Sequence, residues 1–239
     1  MEANNIISIL VSSRELGRKN SGDLKTFLTN LKLSLHNPDN VEIIFKFDND
    51  DTLIEQSLIE AASYNPELNI KYFFSDRYGY LGLHKGYYES LKIIDPNSYI
   101  IIIIADDFVY KINSHWDKQL LNASAHLKNE PFIIQDKSKL GQMHDCQVFS
   151  RKLIDLVGLG DSLSMDGWLV DICSIYLEHN LTDYIVYLPE FTHRQTCAYD
   201  WSHERWNIER EQLIQYLNSQ EYKELKDECK NKIKNYFKL

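Results

Sequence analysis

Along the first 110 residues the hydrophobic positions switch repeatedly between two periods. Ile6-Ile7-Ser8-Ile9-Leu10-Val11 is a nearly continuous apolar run, the pattern of a parallel strand covered on both faces. Leu24, Phe27, Leu28, Leu31 and Leu35 then recur at helical spacing, with Ser21 or Asp23 as a cap and "HNPDN" as a stop. The same unit repeats in kind. Val41 to Phe47 predicts a second strand. Asp51 or Thr52 opens a helix carrying Leu53, Ile54, Leu58 and Ala61, and "YNPEL" closes it. Ile70 to Phe74 predicts a third strand, and Leu81 to Ile94 a helix through Tyr87, Tyr88, Leu91 and Ile94 that "DPNS" breaks. The fourth strand, "SYIIIIIA", contains five consecutive isoleucines and runs straight into the carboxylates Asp106 and Asp107.

Strands alternating with helices of this length predict an α/β domain: a mostly parallel central sheet, flanked by helices and joined by right-handed crossovers. The second half is less regular. Trp116 to Leu127 reads as helix, Phe132 to Ile134 and Cys146 to Phe149 as short strands, Lys152 to Val157 and Trp168 to Leu177 as helices, and Tyr184 to Leu188 as a strand. From His203 onward the tail reads as two helices with charged faces, and the lysines between Lys230 and Lys238 read as a solvated helix end. No Pro/Gly/Ser-rich linker interrupts the 239 residues, so one domain is expected, with a helical tail over 201–239.

This pattern sets polar groups at the carboxyl ends of all four early strands. They are Ser12, Ser13 and Arg14, then Asp48 to Asp51, then Ser75, Asp76 and Arg77, then Asp106 and Asp107. In open parallel sheets that edge is where ligands bind. A strand of β-branched residues buried on both faces holds whatever follows it in place. Two adjacent carboxylates repel each other unless a cation lies beside them. The bland reading of the pair is one solvated Asp and one backbone cap.

Composition narrows the ligand. A net charge of -9 argues against a nucleic-acid polymer, whose binding depends on cationic contacts to phosphate. It leaves room for a single nucleotide held by a metal ion and a few donors. Cys146, Cys173, Cys197 and Cys229 are scattered, with neither zinc nor disulfide spacing, which fits reduced thiols. No signal-peptide pattern opens the chain and no apolar run is long enough to span a bilayer, so a cytoplasmic protein is expected.

The order of strands, helices and acidic strand ends resembles the nucleotide-sugar-binding half of family-2-like glycosyltransferases of the GT-A fold. The matching stretches are "IISILVSSRE", "VEIIFKFDNDD", "DRYGYLGLHKGYYESLK" and "YIIIIIADDF", covering about residues 5 to 110 and, more loosely, 145 to 195. The resemblance implies a donor half over 1–110 and an acceptor side over 111–200. It implies a nucleoside-diphosphate sugar as donor, UDP favoured over GDP, contacted by Ser12, Arg14, Asp48, Arg77 and Asp106. It also implies Mn2+ or Mg2+ held by Asp106, Asp107 and His193, the last in "YIVYLPEFTHRQ". An imidazole among oxygen ligands favours manganese-like ions over calcium. In "SLSMDGWLVDICSIYL", Asp166 matches the acidic base of inverting members, with Asp171 about a turn beyond, although a helix N-cap is an equally ordinary role for Asp166. The acceptor, whether glycan, lipid-linked or protein, is not indicated.

The chain departs from the family's pattern in one place. Against the usual "LDADD" ending it has "IIADD", so Ile104 stands where the first acid of the Asp-x-Asp motif would be. That departure keeps a non-catalytic nucleotide-sugar or glycan-binding protein open as an alternative. A sugar nucleotidyltransferase is another, though "VSSRELGRKNSG" lacks the glycine-rich loop expected of one, and a glycosidase needs only two suitably spaced carboxylates. Trp168, Trp201 and Trp206 are candidates for stacking on a sugar or for core. Gly79, Gly82 and Gly86 are spaced too loosely for a dinucleotide fingerprint.

Overall fold

The computed structural model describes residues 6–13, 24–79, 82–105, 108–136, 147–160, 165–189, 192–194 and 204–239. Within these spans the side chains of 105, 108, 109, 165, 166, 193, 194, 204–207 and 209 are not described. The first half follows the expected alternation: β1 (Ile6–Ser12), α1 (Leu24–Ser34), β2 (Val41–Asp48), α2 (Ile54–Ser63), β3 (Asn69–Ser75), α3 (Leu83–Ser90) and β4 (Ser98–Ala105). Then come β5 (Phe108–Tyr110), α4 (Trp116–Ser124), β6 (Ile133–Gln135), β7 (Gln147–Ser150), α5 (Arg151–Val157) and α6 (Met165–Glu178). The chain continues through β8 (Ile185–Tyr187), β9 (Thr192–Arg194), α7 (Glu204–Leu217) and α8 (Gln220–Phe237).

Seven strands form one sheet in the order β3-β2-β1-β4-β7-β6-β8, and β5 and β9 form a separate two-stranded sheet. β1, β2, β3 and β4 pair in parallel, β7 runs antiparallel to both β4 and β6, and β8 is parallel to β6. The isoleucines of β4 divide by the two-residue period of a strand. Ile100, Ile102 and Ile104 enter the cluster beneath α1, α2 and α4, whereas Ile101 and Ile103 enter the one beneath α3, α5, α6 and α8. Both faces are covered, which is why the run carries no polar alternation.

Some expectations shift on inspection. Leu53 is 53% exposed and not on the inner face of α2. The helix starts at Ile54, and Leu53 sits ahead of it with its N–H donated to the Asp51 carboxylate at 3.2 Å. β3 is an edge strand, so its apolar residues are only partly covered, and Tyr72 and Phe74 remain exposed. The expected caps Ser21 and Asp23 lie outside the described residues. Among the described residues no helix is long and apolar enough to cross a membrane. At the lysine-rich end of α8, Lys230 pairs with Glu178 and Lys232 with Glu228.

At the amino edge of the sheet, far from the candidate site, the four parallel strands share one buried acid. Glu42 on β2 is fully buried. It accepts hydrogen bonds from Ser8 of β1, from Lys71 of β3 at 2.7 Å and from the Asp95 N–H ahead of β4 at 2.6 Å. Ser8 is also 2.7 Å from Ser98 of β4. Removing one member of a buried charged network strands the others. Glu42→Ala is therefore expected to lower unfolding stability by about 3 kcal/mol. Glu42→Gln, which keeps the shape, should lose less. Urea denaturation checks both, and a loss below about 1 kcal/mol for the alanine variant would show the network to be dispensable.

Candidate functional site

The site is built where β1 to β4 end. Ser12, the last residue of β1, pairs across the sheet with Lys46 of β2 on one side and Ala105 of β4 on the other. Ser13 is buried and its N–H donates to the Lys46 carbonyl at 3.2 Å. Asp48 closes β2 and Arg77 follows β3, and the two meet: Arg77 Nε lies 4.0 Å from Asp48 Oδ2, and Arg77 Nη1 lies 3.8 Å from Asp50. The turn between them is fixed by the Asn49 N–H donating to the Ser75 carbonyl at 2.9 Å. Two of the expected donor residues, Asp48 and Arg77, thus stand together at the end of adjacent strands, with Ser12 a strand away.

Lys46 lies beneath this pair. Its side chain is buried, and its ammonium donates to Asp48 Oδ1 and to the Asp76 carbonyl. Tyr78 closes over the same corner, its hydroxyl donating to Glu89 at 2.7 Å. That bond, helped by desolvation and by the nearby Asp76 charge, holds the phenol above its ordinary range. Tyr78 is thus a neutral donor.

Arg14, Asp106 and Asp107 lie outside the described residues. What is described is the chain on either side of the acid pair. β4 ends at Ala105, and β5 starts at Phe108 and pairs antiparallel with β9, setting Val109 opposite His193. His193, expected as a metal ligand, is therefore the middle residue of a short strand. Its partner is two residues along the chain from Asp107. β5 in turn is anchored by Tyr110, fully buried and stacked on Trp116 with ring centroids 5.4 Å apart.

Ile104 is 2% exposed and packs in the cluster beneath α1 and α4. A carboxylate there would be desolvated among apolar side chains, which accounts physically for the hydrophobic residue at that position.

In the segment expected to form the acceptor side, Asp166 is the second residue of α6, inside the first turn and not ahead of it. A carboxylate is favoured there by the unpaired N–H groups and the helix dipole. Asp171 has a different task. The Tyr222 hydroxyl donates to one of its oxygens at 2.5 Å and Lys226 to the other at 2.7 Å, fastening α8 to α6. Burial first, then this bond, pushes the Tyr222 phenol up. Asp171→Asn is expected to cost about 1 kcal/mol of stability, the half-exposed ion pair being screened by water, while leaving ligand binding unchanged. Urea denaturation beside a nucleotide titration separates the two effects.

Trp168 is core and not a sugar platform. It is 1% exposed, its indole N–H reaches the Gly158 carbonyl at 3.3 Å, and a Cβ on Gly160 would come within 2.9 Å of its ring. Trp201 and the side chain of Trp206 lie outside the described residues. Cys173 and Cys229 are buried free thiols, and burial pushes that of Cys229 up to about 12. Cys146 and Cys197 are not described.

Three residues at this edge escaped the pattern reading. Lys46 is one. Gln147, buried and opposite Ile103, and Gln135, buried at the end of β6, are the others. Each is a buried polar side chain in or at the end of a covered strand, the signal that marks a group needing a partner.

A four-stranded parallel half-sheet extended by an antiparallel β7, with helices on both faces and polar strand ends at one edge, is the arrangement of the GT-A fold. Solved structures of that fold superpose on the chain. The mannosyltransferase PcManGT of Pyrobaculum calidifontis, in complex with GDP-Man and Mn2+, matches with a TM-score of 0.61 at 13% identity over 87% of this chain. TarS 1–349 of S. aureus matches with a TM-score of 0.58 at 13% identity over 97% of this chain, and the same fragment in complex with UDP with a TM-score of 0.54 at 12% identity over 98%. The match spans 61% of the mannosyltransferase chain and 72% of the TarS fragment. At such identities the likeness is one of fold. No protein-family model and no curated protein matches the sequence.

Proposed function

We propose that the chain is a metal-dependent glycosyltransferase that moves a sugar from a nucleoside-diphosphate donor to an acceptor hydroxyl with inversion. The observation that carries the reading is the pairing of β5 with β9, which sets His193 across from the strand leading out of Asp106 and Asp107. It does so at the sheet edge where Asp48 and Arg77 meet. Two carboxylates and an imidazole suit Mn2+ or Mg2+, with the remaining positions left to phosphate oxygens and water. Ile104, turned into the core, supplies nothing to that set. The complexes of the mannosyltransferase with GDP-Man and Mn2+ and of TarS with UDP support a nucleotide ligand here, and a UDP-sugar remains the favoured donor.

In this reading Ser12, Arg14, Asp48, Arg77 and Asp106 hold the donor, while Asp106, Asp107 and His193 hold the ion. The ion, when bound, supplies positive charge to the departing diphosphate. Asp166 accepts the proton of the acceptor hydroxyl as that oxygen bonds to the anomeric carbon. The bond from that carbon to the diphosphate oxygen breaks, and the nucleoside diphosphate leaves with the electron pair. A non-catalytic nucleotide-sugar-binding protein is the second reading, favoured by the buried Ile104.

A thermal-shift titration with UDP, GDP, CMP and their sugar conjugates, each with and without Mn2+, tests the proposal. One nucleotide should stabilise the protein only with metal, by about 2.7 kcal/mol at a hundredfold excess over its Kd. Stabilisation independent of metal favours the second reading. No shift with any nucleotide overturns both.

A further inference from the structure

Lys46 interrupts the apolar run of β2, and its side chain is only 5% exposed. Its ammonium donates to Asp48 Oδ1 at 2.5 Å and to the Asp76 carbonyl at 2.8 Å, and lies 5.1 Å from the centre of the Tyr78 ring. It thus ties the end of β2 to the segment leaving β3. Its stem lies against α3 at Gly86, where a Cβ would meet Lys46 Cδ at 3.3 Å and Cγ and Cε at 3.5 Å. Glycine is the least favourable ordinary residue for a helix interior. Here it leaves room for the lysine.

We infer that Lys46, seated against Gly86, is a positioning residue that sets which base the donor carries, by holding Asp48 as a fixed, acceptor-only carboxylate. The inference rests on the donor reading given above. An ionised carboxylate can only accept hydrogen bonds. Uracil offers it N3–H, and guanine offers N1–H beside its amine, whereas cytosine N3 and adenine N1 present lone pairs that repel it. Arg77, 4.0 Å away, is a donor only and suits the carbonyl flanking those N–H groups in uracil and guanine. Cytosine and adenine carry an amine there instead. Without the Lys46 ammonium, Asp48 turns toward Arg77, and the two close on each other rather than on a base.

The test compares wild type, Lys46→Met and Gly86→Ala by calorimetric titration with UDP, GDP, CDP and ADP in the presence of Mn2+, with melting temperatures in parallel. Methionine keeps the length that fills the space at Gly86 and removes the charge. Alanine keeps the charge and pushes the stem aside, in a helix that alanine otherwise strengthens. Wild type should bind UDP or GDP at least about tenfold more tightly than CDP and ADP. Lys46→Met should weaken the favoured nucleotide by about tenfold while CDP stays unchanged, collapsing the ratio to within about threefold. Gly86→Ala should move the ratio the same way by about threefold, with a melting temperature unchanged or raised by about 2 °C. That combination separates position from stability, and Gly86→Ala decides alone if Lys46→Met does not fold. An unchanged ratio, or an equal weakening of all four nucleotides, overturns the inference and leaves the donor reading standing. A wild type that binds no nucleotide removes the donor reading and the inference together.

Discussion

Asp166→Asn is expected to slow sugar transfer by about three orders of magnitude while leaving donor affinity within about twofold of wild type. The substitution removes the proposed proton acceptor and little else. Asparagine is tolerated in the first turn of a helix, so α6 should begin where it does now. A kcat that falls with an unchanged donor KM is the signature of a group acting on the transferring proton. Asp171→Asn provides the contrast, because that carboxylate is spent on Tyr222 and Lys226. If the two variants lose activity equally, or Asp166→Asn loses none, Asp166 is no more than a helix-end carboxylate.

Asp106→Asn should cost at least about three orders of magnitude in transfer and should also abolish the dependence of donor binding on Mn2+. The change is nearly isosteric, so far-ultraviolet circular dichroism should match wild type. It is diagnostic because the position of the first acid is occupied by the buried Ile104, which leaves the proposed ligand set short of one carboxylate. Few ligands remain to compensate for the loss of another. Unchanged activity in this variant would remove the metal assignment.

The half of the fold that positions these residues was legible because its signals are long. Five isoleucines in β4 and the helical spacing of Leu24, Phe27, Leu28 and Leu31 in α1 leave little choice of element. Asp48 and Arg77 followed from them, since Asp48 closes the covered strand β2 and Arg77 lies just beyond the end of its neighbour β3. The missing parts are short or conditional. β5 and β9 have three residues each and no period to read, and their pairing depends on a contact between segments remote in sequence. Lys46 is a charge in a covered strand, and although Asp48 lies two residues along that strand, its other contacts come from the segment after β3 and, through the gap at Gly86, from α3. Asp171 reads like a catalytic neighbour until α8 is seen to hold it. Leu53 shows the limit of periodicity at a helix end, where a residue can share the spacing of the buried face and precede the helix.

The small β5–β9 ribbon has a consequence for how the molecule breathes. Among the described residues its strands pair with each other and with no strand of the seven-stranded sheet. Such a unit can part while the main sheet stays closed, because only a few backbone bonds between its two strands are exchanged for water, while Tyr110 keeps β5 seated on Trp116. The amides of β5 and β9 should therefore exchange with deuterium sooner than those of β1 and β4. In the open form His193 is released from the strand that leads to the acid pair, although the domain remains folded. Anything bound on both sides of the ribbon would therefore act as a clasp.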